Sequence, residues 1–239
     1  MKSLIEFIDK YVHSYSRTVK GAPQKYIIEL ETILGRALPK PLYDFLSTMG
    51  TKVGFDTSYM DFHIKSVLSL TSRWEPIPAR FFPLAKDSSP VSYDYYLDME
   101  TQTEDGDALV VRISEGMEML TEQLPIWWSL RDMIFSIAFE RVRGALLPEK
   151  KTILWVEEQI SHTQLTSSMQ NLGFEVLNVT SPKAQLYERG DCAACIYQAP
   201  FEDSLSLNIS AKNSNIMSDI IGKLTDEYSL NSGKFKNIF

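Results

Sequence analysis

The segment Cys192-Ala193-Ala194-Cys195 is the motif in this sequence that most directly suggests reaction chemistry. Two cysteines at this spacing form a redox-active dithiol when one thiol lies near a helix N-terminus, where the helix dipole lowers its pKa. The surrounding residues instead predict a strand from Cys192 to Tyr197, in which positions three apart face opposite sides. A zinc site would need further ligands, and the sequence contains only these two cysteines. Structural cysteines in a core strand are therefore favoured, with redox or metal chemistry as the alternative.

Other spacings that are typical of catalysis or cofactor binding do not occur in the sequence. The patterns GxxxxGK[ST], GxGxxG and GxSxG are all absent. His13, His63 and His162 are scattered along the chain and none is paired at helical spacing. An EF-hand loop with Gly106 at its sixth position would place Arg112 at the twelfth, where a carboxylate is required. We therefore predict a protein that is not an enzyme, with no catalytic residue, no metal and no cofactor.

A dense run of acidic residues is the strongest charge feature of the sequence. Between Asp94 and Glu122 there are nine acidic residues and one basic residue, Arg112. The run covers a predicted strand, a turn at Asp105-Gly106 and a partner strand that begins at Ala108. A solvated hairpin tip is one interpretation, and a negative surface that binds a cationic partner is the other. The second interpretation predicts a partner-binding site that consists of Asp94, Asp98, Glu100, Glu104, Asp105, Asp107 and, as an aromatic anchor, Trp74. A core position is the alternative for this tryptophan.

The overall composition is typical of a globular protein with a modest negative charge. The 239 residues are 44% hydrophobic and 23% charged, with a formal net charge of −7. This balance argues against nucleic acid as a ligand, because phosphate contacts need clustered Lys and Arg, and it suits a basic protein partner. Glu6 and Asp9 interrupt the N-terminal apolar run, and no window predicts a transmembrane helix. We therefore expect a cytoplasmic protein without membrane contact.

Hydrophobic periodicity predicts an α+β protein with two domains. The first, residues 1–147, has an antiparallel sheet with helices before and after it. Its predicted helices cover 3–19, 23–34, a segment ending at Gly50, 64–74 and 126–144. Its predicted strands cover 51–55, 59–63, 81–85, 93–99 and 108–113.

The second predicted domain, residues 151–239, follows a boundary at Leu147-Pro148-Glu149-Lys150-Lys151, where a proline and three charges separate two differently organised regions. Its pattern has the order β-α-β-β-β-α, with strands that include 192–197 and the alternating Leu205, Leu207 and Ile209. This order resembles a small ferredoxin-like or split βαβ layer.

The order of motifs in the first region resembles that of a known family. A helix that ends in Leu34-Gly35 is followed by Leu38-Pro39 and by a second helix with Tyr43, Phe45-Leu46 and a final Gly50. A strand with Phe82-Pro83-Leu84-Ala85 and Asp87 then precedes a strand with Tyr95-Tyr96-Leu97-Asp98. Residues 25–144 therefore resemble the SUKH superfamily, which takes part of its name from a yeast cell-wall assembly regulator. The segment 88–92 departs from the glycine-rich turn that the family commonly has there.

The resemblance implies protein binding without catalysis. Most bacterial members resemble immunity proteins that neutralise toxins, often nucleases or deaminases, and others are regulatory modules. We therefore expect an immunity protein that binds and neutralises a cognate, basic toxin. A regulatory scaffold is the alternative, and long disordered flanks would be its distinguishing feature. In this sequence only 231–239 is predicted to be loose.

Overall fold

The computed structural model describes residues 1–73, 76–90, 93–103, 106–114, 118, 122–156, 160–202 and 204–228. The α+β class is confirmed, since the described residues form two five-stranded antiparallel sheets with helices. Two compact units divide the chain, Met1–Ile134 and Phe135–Phe239. This division lies earlier than the predicted boundary at 147–151 and assigns Glu140, which accepts a hydrogen bond from Asn208 of the second sheet, to the second unit.

Among the described residues, five α-helices precede the second sheet. They are α1 (Lys2–Asp9), α2 (Gln24–Leu34), α3 (Lys40–Met49), α4 (Ile64–Leu70) and α5 (Leu130–Val142). Helix α1 is much shorter than the predicted helix over 3–19, because Ser14 adopts a positive φ of 59° and starts a short 3-10 turn. In that turn the buried Tyr15 donates its hydroxyl hydrogen to the Val53 carbonyl. None of the described helices is long and apolar enough to cross a bilayer.

The first sheet has the strand order β1-β2-β3-β4-β5. Its strands are β1 (Met60–Asp61), β2 (Phe81–Asp87), β3 (Tyr93–Gln102), β4 (Ala108–Ser114) and β5 (Leu124–Trp127). The predicted turn between β3 and β4 is confirmed, and Gly106 adopts a φ of 76° in it. The strand predicted at 51–55 is wrong, because Lys52 there forms a single bridge with Lys20. Strand β5 was not predicted, since it is short and contains Pro125.

The turn between α2 and α3 connects this helix pair to the sheet. Gly35 ends α2 with a φ of 66°, a left-handed conformation that favours glycine. Arg36 then points toward the start of β2, where it donates to the carbonyl oxygens of Phe81 at 2.6 Å and Pro78 at 3.3 Å. Its guanidinium also lies 4.5 Å from the ring centroid of Phe82. The Leu34-Gly35 motif therefore has a structural role, which is to aim Arg36 at the sheet.

The apolar periodicity of α3 matches the residues that this helix buries, whereas that of α2 matches only in part. Helix α3 buries the four residues expected from its periodicity, which are Leu42, Phe45, Leu46 and Met49. Helix α2 buries Ile27 and Leu30, whereas Ile33 is 53% exposed. Ile33 continues the apolar helical pattern of α2 but does not face the core, because α2 packs along a narrower stripe than its sequence suggests.

The second unit contains a sheet with the order β6-β10-β9-β8-β7. Its elements are β6 (Glu149–Val156), α6 (His162–Asn171), β7 (Glu175–Leu177), β8 (Ala184–Arg189), β9 (Cys192–Gln198), β10 (Ser204–Ala211) and α7 (Ser214–Tyr228). Strand β8 was not predicted. With it, β7 to β10 form a four-stranded meander beside β6, so the suggested ferredoxin-like order is wrong. A turn at Gly190-Asp191 after the alternating residues of β8 is the signal that could have revealed this strand.

The two faces of the second sheet have different environments. One face packs against α6 and α7 and forms an apolar core with Leu207, Ile196, Leu165 and Ile220. Residues at alternate positions of the same strands project from the opposite face. Polar side chains occur there, among them Asn208, and they line the cavity described in the next section.

Candidate functional site

Three of the predicted partner-binding carboxylates are buried. Asp94, Asp98 and Asp107 are 2%, 3% and 3% exposed, so the expectation that these three residues belong to an exposed, partner-binding negative surface is wrong, and a solvated hairpin tip does not describe them either. Glu100 is exposed on β3. The remaining predicted residues, Trp74, Glu104 and Asp105, lie outside the described residues. The physical reason for the burial is that each of the three aspartates has specific donors inside the fold.

Asp98 forms a two-point ion pair with Arg80. Arg80 Nε lies 2.9 Å from Asp98 Oδ1 and Nη2 lies 2.5 Å from Oδ2, a geometry that matches the planar guanidinium to the carboxylate. Arg80 also pairs with Glu100 through its other terminal nitrogen. The negative charge of Glu100 is therefore partly compensated by Arg80, which directly precedes β2.

Asp94 belongs to a second buried ion pair at the other end of β3. Its Oδ2 accepts from Arg73 Nη1 at 2.5 Å, and its Oδ1 accepts from the Asp87 backbone N–H at 3.0 Å. Burial raises the pKa of Asp94, although the Asp87 hydrogen bond and the positive charge of Arg73 act in the opposite direction. This carboxylate thus fixes the end of β2 relative to β3.

The Asp87 side chain closes the turn between β2 and β3. Its oxygens accept from the backbone N–H groups of Ser89 at 2.8 Å and Tyr93 at 3.1 Å, and from Arg112 Nη2 at 3.4 Å. Burial alone would raise the pKa of Asp87, but these hydrogen bonds and the Arg112 charge lower it overall. Asp87 therefore connects the end of β2 to the start of β3.

Asp107 caps helix α5 from a distance in sequence. Its Oδ1 accepts from the backbone N–H groups of Leu130 at 3.1 Å and Ala108 at 2.8 Å, and its Oδ2 accepts from Arg131 N at 2.8 Å. The first N–H groups of a helix have no partner within the helix, and a carboxylate also complements the positive end of the helix dipole. Asp107 therefore connects the start of α5 to the start of β4.

The two cysteines have the geometry of structural residues. Both are buried thiols in β9, and Cys192 contributes to the core on the α6 and α7 side. Cys195 lies three positions along the strand and faces the opposite side, as predicted. Burial raises the pKa of Cys192 to about 11, despite the nearby charge of Arg189. Such a thiol is a poor nucleophile at neutral pH, since reactivity requires the thiolate.

A polar cavity in the second unit is the site that the sequence analysis missed. It has a volume of about 430 Å³ and lies on the face of the second sheet opposite α6 and α7. Its lining includes Glu140 of α5, Lys150 and Thr152 of β6, Cys195 of β9 and Asn208 of β10. Small-molecule sites occupy about 300–1,000 Å³ and place a few polar groups among apolar ones. This cavity has the size and composition of such a site.

A chain of hydrogen bonds crosses the cavity wall from β6 to α5. Thr152 Oγ1 donates to Asn208 Oδ1 at 2.7 Å, and Asn208 Nδ2 donates to Glu140 Oε1 at 2.9 Å. The threonine therefore fixes which way the amide points. Among the described residues the amide of Asn208 is the one hydrogen-bond donor to Glu140, whereas a carboxylate can accept about four hydrogen bonds. Glu140 therefore has unused acceptor capacity beside the cavity.

The electrostatic environment of Glu140 is also unusual. Burial raises the pKa of Glu140, and the bond from Asn208 together with the charges of Arg141 and Lys150 offsets only part of this effect. Carboxyl groups with raised pKa values in cavities are typical of functional sites. The signal in the sequence was a glutamate within an apolar helical pattern, but its partner lies 68 residues away in β10.

A second cavity, of about 400 Å³, lies in the loop over 51–63 of the first unit. Its polar groups have local partners. Asp61 accepts from His63 N at 2.9 Å and from Ser66 Oγ at 2.5 Å, and Asp56 accepts from Ser58 N at 2.9 Å. Within the described ranges, no group of three or more His, Cys, Asp or Glu residues is placed to hold a metal ion. These side chains therefore shape the loop before α4.

Replacing Asp107 by asparagine is expected to destabilise the first unit. The asparagine amide would point a donor at a backbone N–H that now donates to the carboxylate, and one helix-cap bond would be lost. We expect a loss of about 1–3 kcal/mol in the free energy of unfolding, measured by urea denaturation. Glu100→Gln is the matched control on the same hairpin and should change stability by less than about 0.5 kcal/mol. Equal midpoints for both variants would contradict the capping role.

Replacing Glu140 by glutamine is expected to change how stability depends on pH. The raised pKa of Glu140 means that its protonated form favours the folded state, so wild-type stability is lost as pH rises above the ordinary value of 4.5 and through the folded value. The difference in unfolding free energy, variant minus wild type, should therefore increase with pH and flatten below about pH 4.5.

Glu175→Gln, an exposed site on β7, is the control for this measurement. Its difference curve should stay close to flat over the same pH range. A difference curve for Glu140→Gln that falls with pH would show that ionised Glu140 stabilises the fold, against the expectation from its burial.

No protein-family model and no curated protein matches the chain. The residues that carry the family resemblance have structural roles in the first unit. Gly35 ends α2, Asp87 closes the turn after β2, and Phe82 pairs with Leu97 across β2 and β3. Function is therefore inferred from these residues, from the distribution of charge and from the geometry of the cavity.

Proposed function

We propose that this chain is a protein-binding module that acts in the cytoplasm as an immunity protein and neutralises a cognate toxin, such as a nuclease or deaminase. The observation that supports this proposal is that the SUKH-like residues form one connected framework. Arg36 joins the helix pair to β2 through the Phe81 carbonyl, and β2 pairs with β3 through Phe82 and Leu97. The family-like positions thus have the packing and turn roles expected of a shared fold.

The distribution of charge supports a basic partner. The chain carries a net charge of −7, and opposite electrostatic potentials accelerate the encounter of two proteins. On the β3–β4 hairpin, the buried aspartates use their charges internally, so they are removed from the proposed binding surface. The proposed surface consists of the exposed Glu100 together with Glu104 and Asp105, which follow it in the sequence. Glu100 shares its ion-pair partner Arg80 with the buried Asp98.

A regulatory scaffold that gathers several proteins is the second candidate function. It would share the protein-binding framework but would not protect cells from a toxin. The two functions differ in the number of partners, since an immunity protein has one cognate partner and a scaffold has several.

Co-expression with the product of the adjacent gene is the primary test of the proposed function. We expect the adjacent product to be toxic when expressed alone and harmless when this chain is present. An unrelated immunity protein expressed at the same level is the control and should give no protection. A harmless neighbour, or no protection, would contradict the proposal. Several unrelated partners in comparable yield after affinity capture would favour the scaffold.

Neutralising the hairpin surface is expected to slow association with the toxin. The triple variant Glu100→Gln, Glu104→Gln, Asp105→Asn should lower the association rate at low salt by about tenfold and weaken its salt dependence. The dissociation rate should change little, because charges at the rim of an interface act mainly on the encounter. Stopped-flow measurements at several salt concentrations would give both rates.

A matched control separates local from overall charge. The variant Glu6→Gln, Glu29→Gln, Asp219→Asn also removes three exposed charges and brings the net charge from −7 to −4. If both triple variants slow association equally, the effect comes from net charge and the interface lies outside the hairpin.

A further inference from the structure

We propose that the cavity of the second unit binds a small zwitterion, an amino acid in the broad sense, whose ammonium group contacts Glu140 and whose carboxylate contacts Lys150 and Ser210. This inference is independent of the proposed toxin binding, since it concerns a different group of residues and a different class of ligand. It follows from the polarity of the two ends of the cavity and from the distance between them.

The first end of the cavity is built to receive a hydrogen-bond donor with positive charge. Glu140 Oε1 accepts from Asn208 Nδ2, and this amide is held in place by Thr152. Glu140 is half-buried, and its second oxygen has no donor among the described residues and is open to the cavity, where a ligand can reach it. An ammonium group supplies three donors and a full positive charge, so it matches the unused acceptors.

The second end of the cavity is built to receive an acceptor with negative charge. Lys150 and Ser210 are direct partners across β6 and β10, and both line the cavity. An ammonium and a hydroxyl side by side can both donate to a carboxylate. Gly144 keeps this end open, because a Cβ at that position would lie 3.2 Å from Ser210 Oγ.

The register of the sheet sets the spacing of the two ends. Asn208 pairs with Thr152, and Ser210 pairs with Lys150. These two residue pairs are therefore two positions apart along β6 and β10. At about 3.4 Å per residue, this separation is about 7 Å. The ligand therefore needs an ammonium and a carboxylate at different ends of a short chain.

The charged residues of the lining are Glu140 and the cations Arg141, Lys150 and Lys151, so the cavity offers groups of both signs to a ligand that carries an ammonium and a carboxylate. A plain carboxylate would bring a negative charge toward Glu140, and a plain amine would bring a positive charge toward Lys150. A ligand that carries both groups meets an opposite charge at each end. The wall between the ends includes the buried Ala193 and Cys195, which provide a small apolar surface for a methylene chain.

The test is isothermal titration of the full chain with a series of ω-amino acids. The probes are glycine, β-alanine, 4-aminobutyrate and 5-aminopentanoate, with butyrate and butylamine as ligands that lack one of the two groups. We expect one member of the series to bind at least tenfold more tightly than butyrate and butylamine. No measurable binding by any amino acid of the series, or equal binding by butyrate and butylamine, would overturn the proposal.

Substitutions at each end identify which group of the ligand is recognised. Glu140→Gln should weaken binding of the preferred amino acid at least tenfold and leave butyrate no weaker. Lys150→Met should weaken the same amino acid and leave butylamine unchanged. Ser210→Ala provides a milder change at the Lys150 end and should act in the same direction. Thermal unfolding of each variant establishes that it is folded before titration.

Matched controls carry the same substitutions outside the cavity. Glu175→Gln and Lys223→Met are exposed sites on β7 and α7, and neither should change the affinity. If the cavity variants bind the preferred amino acid as tightly as the wild type, the ligand lies elsewhere and the assignment of this cavity is wrong.

Discussion

The need to satisfy buried carboxylates governs the structure of the first unit. A carboxylate that is removed from water loses its solvation, and the loss is compensated only when hydrogen-bond donors and positive charges surround it. Asp98 obtains these from Arg80, Asp94 from Arg73 and the Asp87 backbone, and Asp107 from the start of α5. Each such contact joins two elements that are distant in the sequence. Together they determine how the strand ends and α5 are held.

This constraint changes the meaning of the acidic run between β3 and β4. Dense negative charge in a sequence suggests that the carboxylates repel each other and are exposed to solvent. Three of these aspartates are instead buried, and their ion pairs and hydrogen bonds connect elements of the fold. Of the proposed interface, Glu100 is exposed and is paired with Arg80, which also pairs with the buried Asp98. An ion pair of this kind restrains the Glu100 side chain, so this residue loses less conformational entropy on binding.

In the second unit a carboxylate also needs hydrogen-bond donors, but the fold supplies too few of them. Glu140 is half-buried, and its one amide hydrogen bond leaves most of its acceptor capacity unused. Its side chain faces a cavity, so the missing donors can come from a bound molecule. The cysteine pair shows the reverse case, because burial of Cys192 raises its pKa and suppresses the reactivity that its motif suggests. In both cases the environment of a group, and not its residue type, determines its chemistry.

Local features of this protein were determined by the sequence itself. The α+β class, the buried face of α3, the left-handed Gly35, the Gly106 turn and the opposed cysteines of β9 all depend on neighbouring residues, through periodicity and backbone preference. The alternation of β8 was present in the sequence too, but its six residues are too few for periodicity alone to separate a strand from a loop.

Only the tertiary structure decided which polar groups meet. Asp98 and Arg80 are 18 residues apart, Asp107 and Arg131 are 24 apart, and Glu140 and Asn208 are 68 apart. Such pairs are set by strand register and helix placement, which depend on the packing of the whole unit. A sequence shows that a carboxylate exists, but its burial, its donors and its access to a cavity are properties of the fold. For that reason the sequence predicts an exposed surface where Asp94, Asp98 and Asp107 are buried, and it does not predict the site at Glu140.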